Sequence, residues 1–153
     1  MRIPTDSLIL VADGRKMLLY RNEGSATEPD LKVVHGEEHP NPPDREQKSD
    51  RAGQRPAIGT GGTGGMSSTA EVDFHRQAEE EFARHIADYL NGRALKNDLP
   101  QIVIAAPARI LGVLRKLYHQ QTKAQIIAEV EKDLTGHPTN RIAQLLSERE
   151  AAA

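Results

Sequence analysis

The sequence predicts a single α/β domain: a mixed five-stranded sheet, opened by an N-terminal β-meander and completed by crossover-connected strands, packed by about three helices and interrupted by a long Gly/Pro-rich loop. Three observations predict it. Short apolar runs separated by turn residues stand close together before residue 40. Helical and strand-like patterns alternate after residue 70. The stretch between them has almost nothing to bury. At 153 residues there is room for one core and not for two. The chain divides into the meander (1–39), the loop (40–69) and the α/β remainder of the same domain (70–153).

The first strand is expected from Ser7 to Ala12. Asp13-Gly14 reads as a two-residue turn of the type that prefers positive φ, and Lys16 to Tyr20 as the returning strand. The third strand runs from Leu31 to Glu38 with Val33 and Val34 at its apolar centre. Prolines, alternating charges and clustered glycines then fill residues 40–69, which cannot repay the backbone entropy of ordering, about 1–2 kcal/mol per residue. A long helix is expected from about Ala70 to Asn91. Phe74, Ala78, Phe82, Ile86, Tyr89 and Leu90 form its stripe, Ser67, Ser68 and Thr69 offer N-caps, and Gly92 would be its C′ residue. Glu79-Glu80-Glu81 reads as a solvated face with partners such as Arg84 and His85 one turn on. Gln101 to Ala106 is a buried strand, Pro107 stops it, and Ala108 to Tyr118 is a helix. Residues 124–130 suit strand by alternation and helix by their Ala, Gln and Glu content, with strand favoured. A last helix runs from Thr139 to Glu150.

Composition narrows the function by exclusion. A net charge of −2 excludes a uniformly basic nucleic-acid coat, though not a local basic patch. With no Cys there is no disulfide scaffold, thiolate metal site or cysteine nucleophile. Aromatic residues at 3%, with no Trp, argue against a stacking platform for bases. The apolar run Leu8 to Ala12 is too short for a signal or membrane segment, so cytoplasmic residence without membrane insertion is expected. The six histidines show no helical pair spacing and no two-His-one-carboxylate pattern, so neither a metal nor another cofactor is expected. His137 reads as a turn or cap residue, Asp13 as a turn residue, and Lys132-Asp133 as an ion pair or a cap. No serine lies in a nucleophile elbow.

Functional signal concentrates in the glycines. Gly59 to Gly64 satisfies G-x-G-x-x-G literally, but the residues before it are Pro- and charge-rich where a dinucleotide site needs a strand. Met66 stands where a phosphate-binding P-loop would place lysine. An inert linker, or an anion site at Ser67 and Ser68 where the long helix begins, are the remaining plain readings. Arg45, Lys48, Arg51 and Arg55 recur every three to four residues upstream and would contact RNA phosphates, but Asp44, Glu46 and Asp50 interleave with them as in a solvated segment.

Gly64-Gly65-Met66-Ser67-Ser68, leading into a helix with Phe74-His75-Arg76, is similar to the glycine loop and helix in the central domain of archaeal and eukaryotic class-1 release factors. Leu10 to Gly14, Phe82-Ala83-Arg84, Ile104 to Pro107 and Lys132 to His137 occur in an order that resembles their bacterial relatives, also described as a host-attachment family. The resemblance covers most of the chain outside the loop. It implies a loop that reaches the ester between peptide and tRNA, where glycines admit bare backbone, a main-chain N–H stabilises developing charge and a Gly-Gly-Gln amide selects water. Met66 has no amide and keeps only its main-chain N–H. The expected function is therefore a non-catalytic release-factor-like domain. It would bind a ribosome- or tRNA-related partner through the glycine loop and affect host-cell attachment indirectly. Peptidyl-tRNA ester hydrolysis through the backbone at Gly64, Gly65 and Met66, and anion binding, are the alternatives. The chain is too short for the codon-reading and GTPase-recruiting domains of release factors.

Overall fold

Strands Leu8–Ala12 (β1) and Ile102–Ala106 (β4) are apolar at every position and buried throughout, so each must lie in the middle of a sheet covered on both faces. A computed structural model describes residues 1–39 and 64–149, and of 64–69 the backbone alone. It places Lys16–Asn22 (β2) and Leu31–Glu38 (β3) on one side of this pair and Ile126–Glu131 (β5) on the other. The sheet order is β3-β2-β1-β4-β5. The β1–β2 and β2–β3 pairs are antiparallel, and β1–β4 and β4–β5 are parallel. Four helices pack the sheet: Gly64–Leu95 (α1), Ala108–Leu117 (α2), the short Gln120–Gln125 (α3) and Thr139–Glu148 (α4).

The two-residue period of the strands sorts their side chains into two cores. Leu8, Leu10 and Ala12 of β1, with Ile102, Ile104 and Ala106 of β4, face Phe82, Ile86 and Leu90 of α1 and Ile110, Leu111 and Leu114 of α2. Ile9 and Val11, with Val103 and Ala105, face Ile142, Ala143 and Leu146 of α4. The expected mixed five-stranded α/β domain is what forms.

Several local expectations change. The helix α1 begins at Gly64, within the segment expected to be loop, so Ser67 to Thr69 lie inside it and do not cap it. At its other end it runs past Gly92 to Leu95. The left-handed residue is Asn97 (φ 56°), with Asp98 N–H bonded to Arg93 O (2.9 Å) and Asn97 N–H to Ala94 O (3.0 Å). That is the paired-bond stop for which asparagine is the second choice after glycine. The β1–β2 turn centres on Gly14 and Arg15, and neither has positive φ. Asp13 sets it up instead: its Oδ1 accepts the main-chain N–H of Arg15 and of Lys16, at 2.7 Å each. Residues 120–131 are divided, helix to Gln125 and strand from Ile126. In β3, Leu31 is buried but Val33 and Val34 are exposed. The register skips Val34, a bulge on the edge strand. The expected loop from residue 40 to Thr63 lies outside the described residues.

Candidate functional site

The parallel strands β1, β4 and β5 bring their carboxyl ends to one edge of the sheet, where open α/β sheets place ligands. Asp13 follows β1 there. Its Oδ2 lies 3.0 Å from the Thr135 hydroxyl in the segment after β5, so the carboxylate ties β1 to that loop past the end of β4. Asp133 turns the same loop, its Oδ1 accepting Thr135 N–H at 2.9 Å and standing 2.5 Å from the Thr135 hydroxyl. Asp133 is thus the turn cap that its sequence position suggested, and the main-chain N–H of His137 bonds Leu134 O in that turn at 3.1 Å.

From the opposite side α1 lays His75, Ala78 and Glu79 over the β1–β2 turn, residues whose three- and four-residue spacing puts them on one helix face. Gly14 admits this approach, because a Cβ at position 14 would overlap Glu79 Cγ. Glu79 is in turn gripped by Arg109 from the start of α2, Nη2 lying 2.8 and 2.9 Å from its two carboxylate oxygens. Its partner is therefore across the fold and not one helical turn on. With Asp13, Arg15 and His39 these residues line a cleft of about 320 Å³.

Beside the cleft, β3 is fastened to α1 by a chain of rings and a carboxylate. Glu37 Oε2 lies 2.8 Å from His35 Nε2, and Glu37 Oε1 lies 2.6 Å from His85 Nε2. His35 stacks on Tyr89 at 4.8 Å between centroids, and His39 stacks on Phe82 at 5.7 Å. Burial opposes ionisation of Glu37, but the hydrogen bonds and charge of the two imidazoles outweigh it, and the carboxyl sits below its ordinary value. His85 is thus brought from 48 positions away to Glu37, whose other partner His35 stands two residues before it on β3. They form a hydrogen-bonded bridge: among the described residues no group of three His, Asp or Glu side chains is arranged to hold a metal ion.

The glycine-derived candidates lie elsewhere. Gly64, Gly65, Met66, Ser67 and Ser68 form the first turns of α1. From Ala70 to Glu81 no residue of that helix is buried, and close packing on the sheet starts at Phe82. Arg45, Lys48, Arg51 and Arg55 lie outside the described residues. The hairpin at Asp13-Gly14 and the later strand–helix pair fit the release-factor resemblance, although Gly64 and Gly65 begin the long helix where the resemblance implies a loop before it. The model of the bacterial archaeo-eukaryotic release factor family 12 matches residues 6–146. The chain belongs to that family. The match spans β1 to α4, so family 12 membership rests on the whole sheet and not on the glycines alone. No curated protein matches the chain. Among the described residues no helix is long and apolar enough to cross a membrane.

Sequence reading missed Arg15, His39, Glu79 and Arg109 as site residues of this family 12 chain. The available signals were Gly14 directly after a strand-ending Asp13, and the shared helix face of His75, Ala78 and Glu79.

Proposed function

We propose that this chain is a non-catalytic release-factor-like domain that works in the cytoplasm, binds a ribosome- or tRNA-related partner through the outer end of α1, and affects host-cell attachment indirectly. The observation that carries the reading is the division of α1. Phe82 to Ala94 supply the core, whereas Gly64 to Phe74 extend beyond the residues that line the cleft. Those eleven residues span about 16 Å at 1.5 Å per residue, and they carry Gly64-Gly65-Met66 to the far end. Membership of family 12 supports a translation-related partner. Met66 supports binding without catalysis, since a thioether supplies no hydrogen-bond donor where the release factors of this resemblance carry a glutamine amide. Arg45, Lys48, Arg51 and Arg55 would add phosphate contacts.

One observation favours the second reading, ester hydrolysis through the main chain. The first four N–H groups of a helix have no acceptor within it, and here they belong to Gly64, Gly65, Met66 and Ser67. They would face an oxyanion or a phosphate, which also serves the third reading, simple anion binding.

Ribosome co-sedimentation over a salt series, run beside a peptidyl-tRNA hydrolysis assay, separates these. The expected result is salt-sensitive sedimentation without turnover, with a shallower salt dependence when Arg45, Lys48, Arg51 and Arg55 are replaced by Ala. Turnover by the unmodified chain that disappears in Gly65→Pro would establish the enzyme instead, because proline fits a first helical turn but removes the N–H.

A further inference from the structure

We infer that the cleft at the carboxyl end of β1 binds a phosphoryl group. Its two carboxylates are engaged: Glu79 by both short contacts from Arg109, and Asp13 by two main-chain N–H groups. They are therefore poor ligands for a cation. Two donors are uncommitted. The Arg15 guanidinium is exposed and has no ion-pair or hydrogen-bond partner among the described residues. His39 lays its ring face on Phe82, and its ring nitrogens likewise bond nothing there. His75 lines the same cleft from α1.

The position suits this chemistry. Gly14 and Ala78 keep the walls low, and the cleft's volume of about 320 Å³ falls at the small end of the roughly 300–1,000 Å³ typical of ligand sites. A planar guanidinium beside an imidazole matches the several oxygens of a phosphoryl group and pairs them by charge-assisted hydrogen bonds. Such a group can come from an RNA backbone or from a free nucleotide. The RNA source rests on the function proposed above, whereas the phosphoryl chemistry does not.

The test uses the full chain and follows the amide signals of Gly14, Arg15 and Ala78 by NMR while inorganic phosphate, adenosine monophosphate or a single-stranded oligoribonucleotide is added. All three probes should shift these signals in the unmodified chain. Arg15→Glu, an exposed turn substitution, should weaken the response at least about tenfold, with Arg15→Lys in between. A tighter response to the oligoribonucleotide identifies an RNA ligand, and a tighter response to the mononucleotide identifies a free nucleotide. No shift with any probe, or shifts that Arg15→Glu leaves unchanged, would overturn the inference even if the chain still sediments with ribosomes. Phosphate binding here with no ribosome or tRNA association would defeat the proposed function and leave the cleft standing.

Discussion

Asn22 ends β2 with no solvent exposure, and every polar atom of its amide is used. Its Nδ2 donates to Ile3 O (2.8 Å) and Ser25 O (3.1 Å), and its Oδ1 accepts the main-chain N–H of Gly24 and Asp30 at 2.9 Å each. One side chain thereby organises the N-terminal segment and the whole β2–β3 connection. Asn22→Ala removes an apolar-sized volume but leaves several backbone groups without partners, so we expect a loss of about 3 kcal/mol, read as a lower urea midpoint with unchanged slope. Asn91 plays the same part where α1 meets α2 and α3, donating to Leu117 O (2.9 Å) and accepting from Thr122 Oγ1 (2.6 Å) and His119 N–H (3.0 Å). Neither residue was legible as a hub. A side-chain amide carries no periodicity, and the partners lie up to 31 positions away.

At the scale of elements, edge strand β3 depends on what fastens it to α1. Its exposed Val33 and Val34 contribute little to the core, and the bulge at Val34 twists the free edge. The His35–Glu37–His85 bridge and the His35–Tyr89 stack supply the attachment. Glu37 is held below the ordinary glutamate value of 4.5, burial working against the shift and the two imidazoles prevailing. A carboxyl with a depressed folded-state pKa stabilises the fold above its unfolded value and loses that contribution as pH falls through the folded one. The stability advantage of the unmodified chain over Glu37→Gln should therefore shrink steadily as pH falls below the ordinary glutamate value of 4.5, measured by denaturant unfolding at each pH. The strand bounds of β3 were readable from its apolar run and turns. Its solvent-facing centre was not, since which face of an edge strand is covered depends on helices far along the chain. Asn97 in place of Gly92 as the end of α1 has a similar cause. Leu90 and Ala94 are buried four residues apart, and their packing carries the helix through a glycine that would otherwise stop it.

For the whole molecule, stability should be distributed as burial is. Sheet strands β1 and β4 have cores on both faces, and α1 contributes to the core only from Phe82 onward. Hydrogen exchange should accordingly be slow for Leu8–Ala12, Ile102–Ala106 and Phe82 to Ala94. It should be faster by at least about a hundredfold for Ala70 to His75, where no residue is buried. Equal protection along all of α1 would contradict the division on which the proposed function rests.

The strands, the helices α2 and α4, the body of α1 and the α/β class were decided by the sequence alone, whereas the short helix α3 was not. The two-residue and 3.6-residue periods of its apolar residues are local properties, and burial on two faces follows directly from uninterrupted apolar runs. The release-factor kinship was likewise present in the order of short motifs. Tertiary structure decided which distant residues became neighbours: Asp13 with Thr135, Glu79 with Arg109, and His85 with Glu37. Those pairs join polar side chains 122, 30 and 48 positions apart. A polar contact is fixed by where the packed core sets down each backbone, and no pattern along the chain encodes that position in advance.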